Sequence, residues 1–439
     1  MMTAQKKKKK TKSPPDAKED VEQSAVTGEG YVKDKDKIEN ISTEKGPVNI
    51  IELLDSIVYD ALKRKASDIH MEPRENDLVV RYRIDGILQE VLTIDKNLEQ
   101  ALTFKIKVSA KLRTDEHFAP QDGRIRFVFD KKKLDTRISV LPITKGEKVV
   151  IRLLTSEGRS FELQDLGLVD KDLEIVQKSF RKPYGMILAV GPTGSGKTTS
   201  LYSILKILNS RDVNITTIED PVEYDLEGVN HIQINTKANL TFATGLRSIL
   251  RQDPDIIMVG EIRDKETARI AINAALTGHL VLSTLHTNDA VTTIPRLIDM
   301  GVEDFLVAST VNVVMAQRLA RKLCDECKEE FVLSKRDLEE LAKMRPDIAS
   351  FLKANEKLYH EVGCDKCGDT GFKGRIGLYE VFEMTEEIRR LINDEANTDD
   401  IFNQARKQGL TLIVEDGIKK LRAGITSISE LIRVTALKE

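Results

Sequence analysis

Tryptophan is absent from the 439 residues, aromatic side chains make up only 5%, and cysteine occurs four times. So few aromatics argue against a groove for single-stranded nucleic acid, which stacks bases on such rings. An excess of one charge sign is missing too: 68 basic residues face 71 acidic ones, for a net charge of −3. No global basic field exists to gather nucleic acid. No apolar run approaches the ~18 residues a membrane helix requires. Lysines near the start lack the apolar segment of a signal peptide behind them. The chain reads as soluble and charge-rich, cytoplasmic by default, where structural disulfides are disfavoured. Its length suggests about two or three domains.

What is present is unevenly distributed. Residues 1 to about 45 read as disordered, with a like-charge block at Lys6 to Lys10 and then Pro14-Pro15 among mixed charges. Six lysines between positions 6 and 12 could tether the chain weakly to an anionic membrane face at ~1 kcal/mol per residue. Asp16, Glu19, Asp20 and Glu22 follow closely, so a merely solvated run is the other reading. Pro47 suits the first turn of a helix, continued by Ile50, Ile51, Leu54, Ile57, Val58, Ala61 and Leu62. From Ser67 to Leu154 the pattern is of strands, with Asp85-Gly86 as a hairpin turn, which makes residues 46–155 an α+β domain. Residues 156–167 read as a linker. Beyond it, strands and helices alternate as in a parallel α/β sheet, with strands at 186–190, 214–218, 256–259 and 280–285. Residues 385–437 are helical in pattern.

The most specific signal is Gly191-Pro192-Thr193-Gly194-Ser195-Gly196-Lys197-Thr198-Thr199, directly after the apolar run Met186 to Val190. A buried strand, a glycine-rich loop and a helix start together point backbone N–H groups at one spot. Phosphate oxygens bind there, with Lys197 on the β/γ-phosphates and Thr198 on magnesium. This predicts an ATP site. A second buried strand, Asp255 to Val259, ends in Gly260-Glu261, where the generic pattern carries Asp at the glycine position. Glu219 or Asp220 could then anchor magnesium, leaving Glu261 to orient or deprotonate the attacking water. Helix capping is the plainer reading of these acids. His286 ends a further strand; it is either a structural hydrogen-bonder or a site residue at the carboxyl edge of the sheet.

The cysteines form two pairs, Cys324-x2-Cys327 and Cys364-x2-Cys367, with none left over. Four thiolates at this spacing suit a closed structural zinc site, with an inserted helical lobe (Leu338 to Leu352) between the pairs. A redox pair or free thiols are the alternatives.

On these residues the chain resembles the secretion ATPases of type II secretion and type IV pilus assembly. GPTGSGKTT (191–199), TIEDPVEY (217–224) and LRSILRQDPDIIMVGEIRDKETARIAINAALTGHLVLSTLHTNDA (246–290) resemble that family's Walker A, Asp box, Walker B and His box. RYRIDGIL (81–88), QDGRI (121–125) and TRISVLP (136–142) resemble its second N-terminal domain, and the tetracysteine favours the assembly or secretion branch over retraction ATPases. About residues 47 to 439 are covered. The resemblance implies a RecA-like ATPase domain after a smaller PAS-like α+β domain, with a zinc lobe (320–370) and a helical C-terminal part. It implies a cytoplasmic homohexamer, peripheral at the inner membrane, that hydrolyses ATP with Mg2+ to drive an inner-membrane platform protein, while Zn2+ sits in the tetracysteine lobe. Residue by residue, it makes Glu219 the Asp-box acid, Glu261 the catalytic acid and His286 the His-box histidine. Arg124, Arg137 and Arg152 become arginines that reach the nucleotide from the N-terminal domain. Longer members carry a folded docking domain where this chain has its charged segment. Two other classes compete: a RecA-like nucleic-acid motor, and a zinc-bearing scaffold with a regulatory nucleotide.

Overall fold

Asn49 opens the first helix of the computed structural model, its side-chain oxygen accepting the amide N–H groups of Ile51 and Glu52. Asn49 is therefore the cap of Ile50–Lys63 (α1), while Pro47, expected in the first turn, lies outside the described residues. The structure describes residues 26–27, 48–154, 162–223 and 225–436. They form two compact units, one drawn in the main from the chain up to Thr155 and one from the chain beyond it. The disorder expected over residues 1 to 45 lies outside the described residues, with one exception. Val26–Thr27 (β1) pairs in parallel with Phe127 and Val128, where an open sheet edge offers its backbone groups.

The first unit continues with Asp68–Pro73 (β2), Asp77–Ile84 (β3), Ile87–Asp95 (β4), Glu99–Ser109 (α2), Gln121–Phe129 (β5), Lys132–Ile143 (β6) and Gly146–Leu154 (β7). Its seven-stranded sheet has the order β1-β5-β6-β7-β2-β3-β4. Asp85 and Gly86 both take positive φ (48° and 88°), the backbone of the expected two-residue hairpin turn. Alternation puts Ile69, Met71, Val80, Tyr82, Ile125, Phe127, Ile138 and Ile151 into one core with Leu53, Leu54, Ile57 and Val58 of α1. Helix α2 was not legible as a helix because its pattern is inverted in places. Phe104 and Val108 face outward while Lys107 is buried, its ammonium held by Glu147 at 2.6 Å and the Glu116 carbonyl at 2.6 Å.

The second unit is built on a sheet of Gly185–Val190 (β8), Ile215–Glu219 (β9), Val229–Gln233 (β10), Ile256–Val259 (β11), Leu280–Leu285 (β12), Val311–Leu323 (β13) and Phe372–Glu383 (β16). The order is β10-β9-β11-β12-β8-β13-β16, parallel except for the last pair. Strand β8 is buried throughout and feeds two cores: Met186, Leu188 and Val190 on one face, Ile187 and Ala189 on the other. Helices Asp170–Phe180 (α3) and Lys197–Leu208 (α4) cover the second face. Phe242–Ile249 (α5) and Lys265–Leu276 (α6) cover the first. Both faces are dry, which is why the strands read as unbroken apolar runs. Of the expected linker 156–167, residues up to 161 lie outside the described ones. In the remainder Leu163 and Gly167 are buried, Leu163 in the core beside α3, while Glu162, Gln164 and Asp165 are exposed.

Between β13 and β16 the chain makes the short ribbon Glu329–Val332 (β14) and Lys357–His360 (β15), plus helices Lys335–Met344 and Pro346–Ala349. The lobe is thus a ribbon with two helices, not helical alone. Its apolar residues Leu333, Leu341, Ile348 and Leu358 share a core with Ile418, Leu421 and Leu431 of the C-terminal helices. Among the described residues, no helix is long and apolar enough to cross a membrane.

Candidate nucleotide site and cysteine cluster

Parallel strands end at a common edge, and four of the expected motifs end there. The glycine loop follows β8, Glu219 ends β9, Gly260-Glu261 follows β11, and His286 follows β12. Within the loop, Pro192, Thr193 and Gly194 are exposed while Gly191, Ser195 and Lys197 are buried. Gly191 has φ 140°, and a Cβ there would lie 2.5 Å from the Gln317 carbonyl oxygen, so no other residue fits. Gly196 starts α4 in the left-handed region with no side-chain cap, which leaves the first-turn amides available to an anion. Among the described residues, the buried Ser195 hydroxyl has no hydrogen-bond partner. Lys197 Nζ curls back onto the carbonyl oxygens of Gly191 (2.8 Å) and Pro192 (3.1 Å). Burial pulls its ammonium down to about 8, opposed by the charge of Glu261. Uncapped amides, an orphaned hydroxyl and a desolvated cation are a fit for phosphate oxygens.

The carboxylates flank this loop. Glu261 is pinned on both sides, with Arg263 Nη2 2.5 Å from Oε1 and His286 Nε2 3.4 Å from Oε2. His286 itself is half exposed. Glu219 is buried, and a Cβ on Gly260 would sit only 3.3 Å from its Cα and 3.6 Å from its Cγ. The tightest neighbours of such a Cβ are backbone atoms, the Ile218 carbonyl oxygen at 3.2 Å and Glu219 Cα, so the glycine lets the ends of the two strands run close together.

Three residues here carried no signal in the sequence. Gln317 donates from Nε2 to the Ser195 carbonyl at 2.8 Å and so clamps the loop from β13. Arg318 bonds the carbonyls of Gln317 (3.2 Å) and Asn288 (2.8 Å), joining the loop that carries His286 to the same strand. Glu380 on β16 accepts the Ala290 N–H at 2.8 Å. Burial pushes the Glu380 carboxyl up to about 7, with Asp289 adding to the shift and Ala290 and Arg318 opposing it. A folded-state value above the unfolded one means stability is lost as pH rises from about 4.5 to about 7. Glu380→Gln keeps an acceptor for Ala290 and removes the charge. Its melting point should exceed that of the wild type at pH 8, a gain of about 1–3 kcal/mol, with no gain near pH 4.5. Thermal melts at the two pH values decide; an equal gain at both would rule out the ionisation account.

The three expected arginines belong to the first unit. There Arg124, Arg137 and Arg152 lie in register on neighbouring strands, and the row continues through Asp68 to Arg83. Arg152 Nε is 2.9 Å and Arg83 Nε 3.6 Å from the Asp68 carboxylate. Arg83 lies within RYRIDGIL (81–88), yet no site role was expected of it.

The cysteines converge although 36 residues separate the pairs. Cys324 ends the β13 arm, and Cys364 and Cys367 precede β16. Sulfur separations are 4.0 Å for Cys324–Cys364, 3.8 Å for Cys327–Cys367 and 3.7 Å for Cys364–Cys367. All four sulfurs lie within 4.8 Å of one another. A tetrahedral centre with ~2.3 Å bonds to sulfur requires edges of about 3.8 Å, whereas a disulfide requires ~2.05 Å. The set has the size of a metal shell. Amide N–H groups of Cys364 and Gly371 donate to the Cys367 sulfur at 3.2 and 3.3 Å, which favours a thiolate.

Comparison with known proteins agrees with this geometry. The family described as "Type II/IV secretion system protein" matches residues 43–433. Type II secretion system protein E of Pseudomonas aeruginosa is 46% identical over 397 residues, covering 90% of this chain and 78% of that one. The type IV pilus assembly ATPase PilB of the same organism is 45% identical over 403 residues, covering 92% and 70%. In fold, the Legionella pneumophila ATPase DotB superposes with a TM-score of 0.65 at 21% identity, covering 89% of this chain and 97% of that one. The pilus retraction motor PilT with bound ADP gives 0.58 at 24% identity, covering 87% and 96%. With the phosphate loop, its flanking acids and the match over nearly the whole described chain in agreement, this protein belongs to the type II/IV secretion system family and is an ATPase of it.

Proposed function

We propose that the chain is the subunit of a homohexameric motor, with the second unit as a RecA-like ATPase domain and the first as a PAS-like domain. ATP hydrolysis drives an inner-membrane platform protein that adds pilin or pseudopilin subunits, from the cytoplasmic face and without nucleic acid. What supports the reading is the gathering of the glycine loop, Glu219, Glu261 and His286 at one sheet edge, in a chain 45% or more identical to a pilus assembly ATPase and a secretion protein E. In this reading the amides of residues 191–199 and Lys197 hold the phosphates, and Glu261 orients and deprotonates the water with His286 at its side. Magnesium, held by Thr198 and Glu219, would neutralise charge on the β- and γ-phosphates. Arg124, Arg137 and Arg152 supply positive charge to the transferring phosphoryl group.

An ATPase assay over a range of protein concentrations tests the assembly. Specific activity should rise with concentration as hexamers form, and anionic vesicles should stimulate it where single-stranded DNA does not. Activity that is flat across the monomer–hexamer range would remove subunit coupling; stimulation by DNA alone would favour a nucleic-acid motor.

The cysteine cluster is assigned to structural zinc. Four thiolates close the shell and leave no position for a substrate water, so the ion would hold the lobe and take no part in hydrolysis. Elemental analysis of reduced protein should give one zinc per chain. Cys367→Ser should lower the melting point and leave turnover at low temperature near wild type. Zinc well below one per chain would overturn the assignment.

A further inference from the structure

The Glu219 carboxylate accepts from a built set of donors. Tyr202 on α4 gives its hydroxyl to Oε2 at 2.7 Å, Thr217 gives its hydroxyl to Oε1 at 2.6 Å, and His231 Nδ1 lies 3.1 Å from Oε1. His231 stands on β10, the edge strand, in register with Thr217, and its side chain is only 7% exposed. Its two ring nitrogens can be told apart. The Leu226 amide N–H donates to Nε2 at 3.1 Å, so Nε2 presents a lone pair. The proton of the neutral ring then sits on Nδ1, which faces Thr217 Oγ1 at 2.8 Å and Glu219 Oε1. Thr217 spends its one hydroxyl proton on Glu219, so its oxygen is free to accept from Nδ1. In that tautomer Nδ1 donates within the set and Nε2 accepts from Leu226, while the carboxylate oxygen facing Nε2, Asp225 Oδ1, stands 4.0 Å away, beyond hydrogen-bond distance. The Tyr202 ring stacks on the imidazole at 5.9 Å between centroids. Glu219 is thereby tied at once to its own strand, to the edge strand and to the helix that the glycine loop opens.

We infer that His231, in its Nδ1–H tautomer, is a positioning residue for Glu219 and through it sets the divalent-cation affinity of the nucleotide site. This rests on the reading that Glu219 serves the metal. His231 touches neither nucleotide nor metal in this account; it holds the carboxylate that does. Ligand-orienting groups of this kind typically change metal affinity or activity 10- to 100-fold.

The test is Mn2+ binding by the ADP-loaded full chain, read from the electron paramagnetic resonance of free Mn2+. His231→Leu should bind Mn2+ about tenfold more weakly. His231→Gln, with a donor and an acceptor on one amide, should stay within about twofold of wild type. Nitrogen-15 spectra of histidine-labelled wild type should show one ring with Nδ1 protonated and Nε2 bare, absent from the His231→Gln spectrum. Finding Nε2 protonated on that ring overturns the inference, as does wild-type Mn2+ binding by His231→Leu while Glu219→Gln is impaired. Unchanged binding by Glu219→Gln would show that the reading of Glu219 itself has failed, and the inference with it. Should His231→Leu not fold, the tautomer measurement and Thr217→Val, which removes the shared hydroxyl, carry the same decision.

Discussion

Glu261→Gln should bind nucleotide as tightly as wild type and hydrolyse it ~10²-fold or more slowly. The amide is isosteric and can still accept from Arg263, which holds Oε1 at 2.5 Å, so the loop between β11 and α6 keeps its shape. What it loses is basicity at Oε2, the oxygen facing His286. Lys197→Ala fails at an earlier step. It removes the buried cation beside the glycine loop, so nucleotide binding itself should collapse. Fluorescent-ADP titration alongside single-turnover hydrolysis separates the two variants. Hydrolysis at the wild-type rate by Glu261→Gln would falsify the role given to that carboxylate.

The second large effect is expected at the arginine row. Arg124, Arg137 and Arg152 stand side by side on β5, β6 and β7, and like charges directly opposite one another cost about 0.2–1 kcal/mol per pair. The three guanidinium groups stand in register, an arrangement that like-charge repulsion disfavours, and Asp68 faces Arg152 at one end. Arg137→Ala should lower turnover by ~10²–10³, the scale of an arginine acting on a transferring phosphoryl group, and by more than any loss of stability accounts for. Arg126, two residues along β5 and paired with Asp135 at 2.6 Å, provides the control: Arg126→Ala should move turnover little. Equal losses in the two variants, or a drop in melting point that accounts for the lost activity, would return the row to a structural role.

The sequence alone determined the parts whose physics is local. The glycine loop needs only a strand, three glycines, a lysine and a helix start in succession, and all of these are contiguous. Strands β8, β11 and β12 were legible because both sheet faces are covered, which leaves short unbroken apolar runs. The cysteine pairing was legible from composition, since four cysteines in two close pairs have few other uses. Local pattern failed where side chains break their period for tertiary reasons. Strand β13 carries Gln317, Arg318 and Arg321 because one reaches the glycine loop, one the loop after β12, and one the buried Glu430 at 2.8 Å. Helix α2 hides a lysine and shows a phenylalanine because Glu147 comes to it from β7.

Only the tertiary structure decided which residues meet. Glu219, His231, Gln317 and Glu380 are up to 161 positions apart, and no spacing rule connects them. Sheet order does. Parallel strands put their carboxyl ends on one edge, and the order β10-β9-β11-β12-β8-β13-β16 then sets which side chains are neighbours there. The same holds for the arginine row, which exists only because antiparallel register aligns positions 124, 137 and 152 across three strands. Motif chemistry is written in consecutive residues, whereas the support of a site comes from register and strand order, which the backbone settles only when the whole sheet has formed.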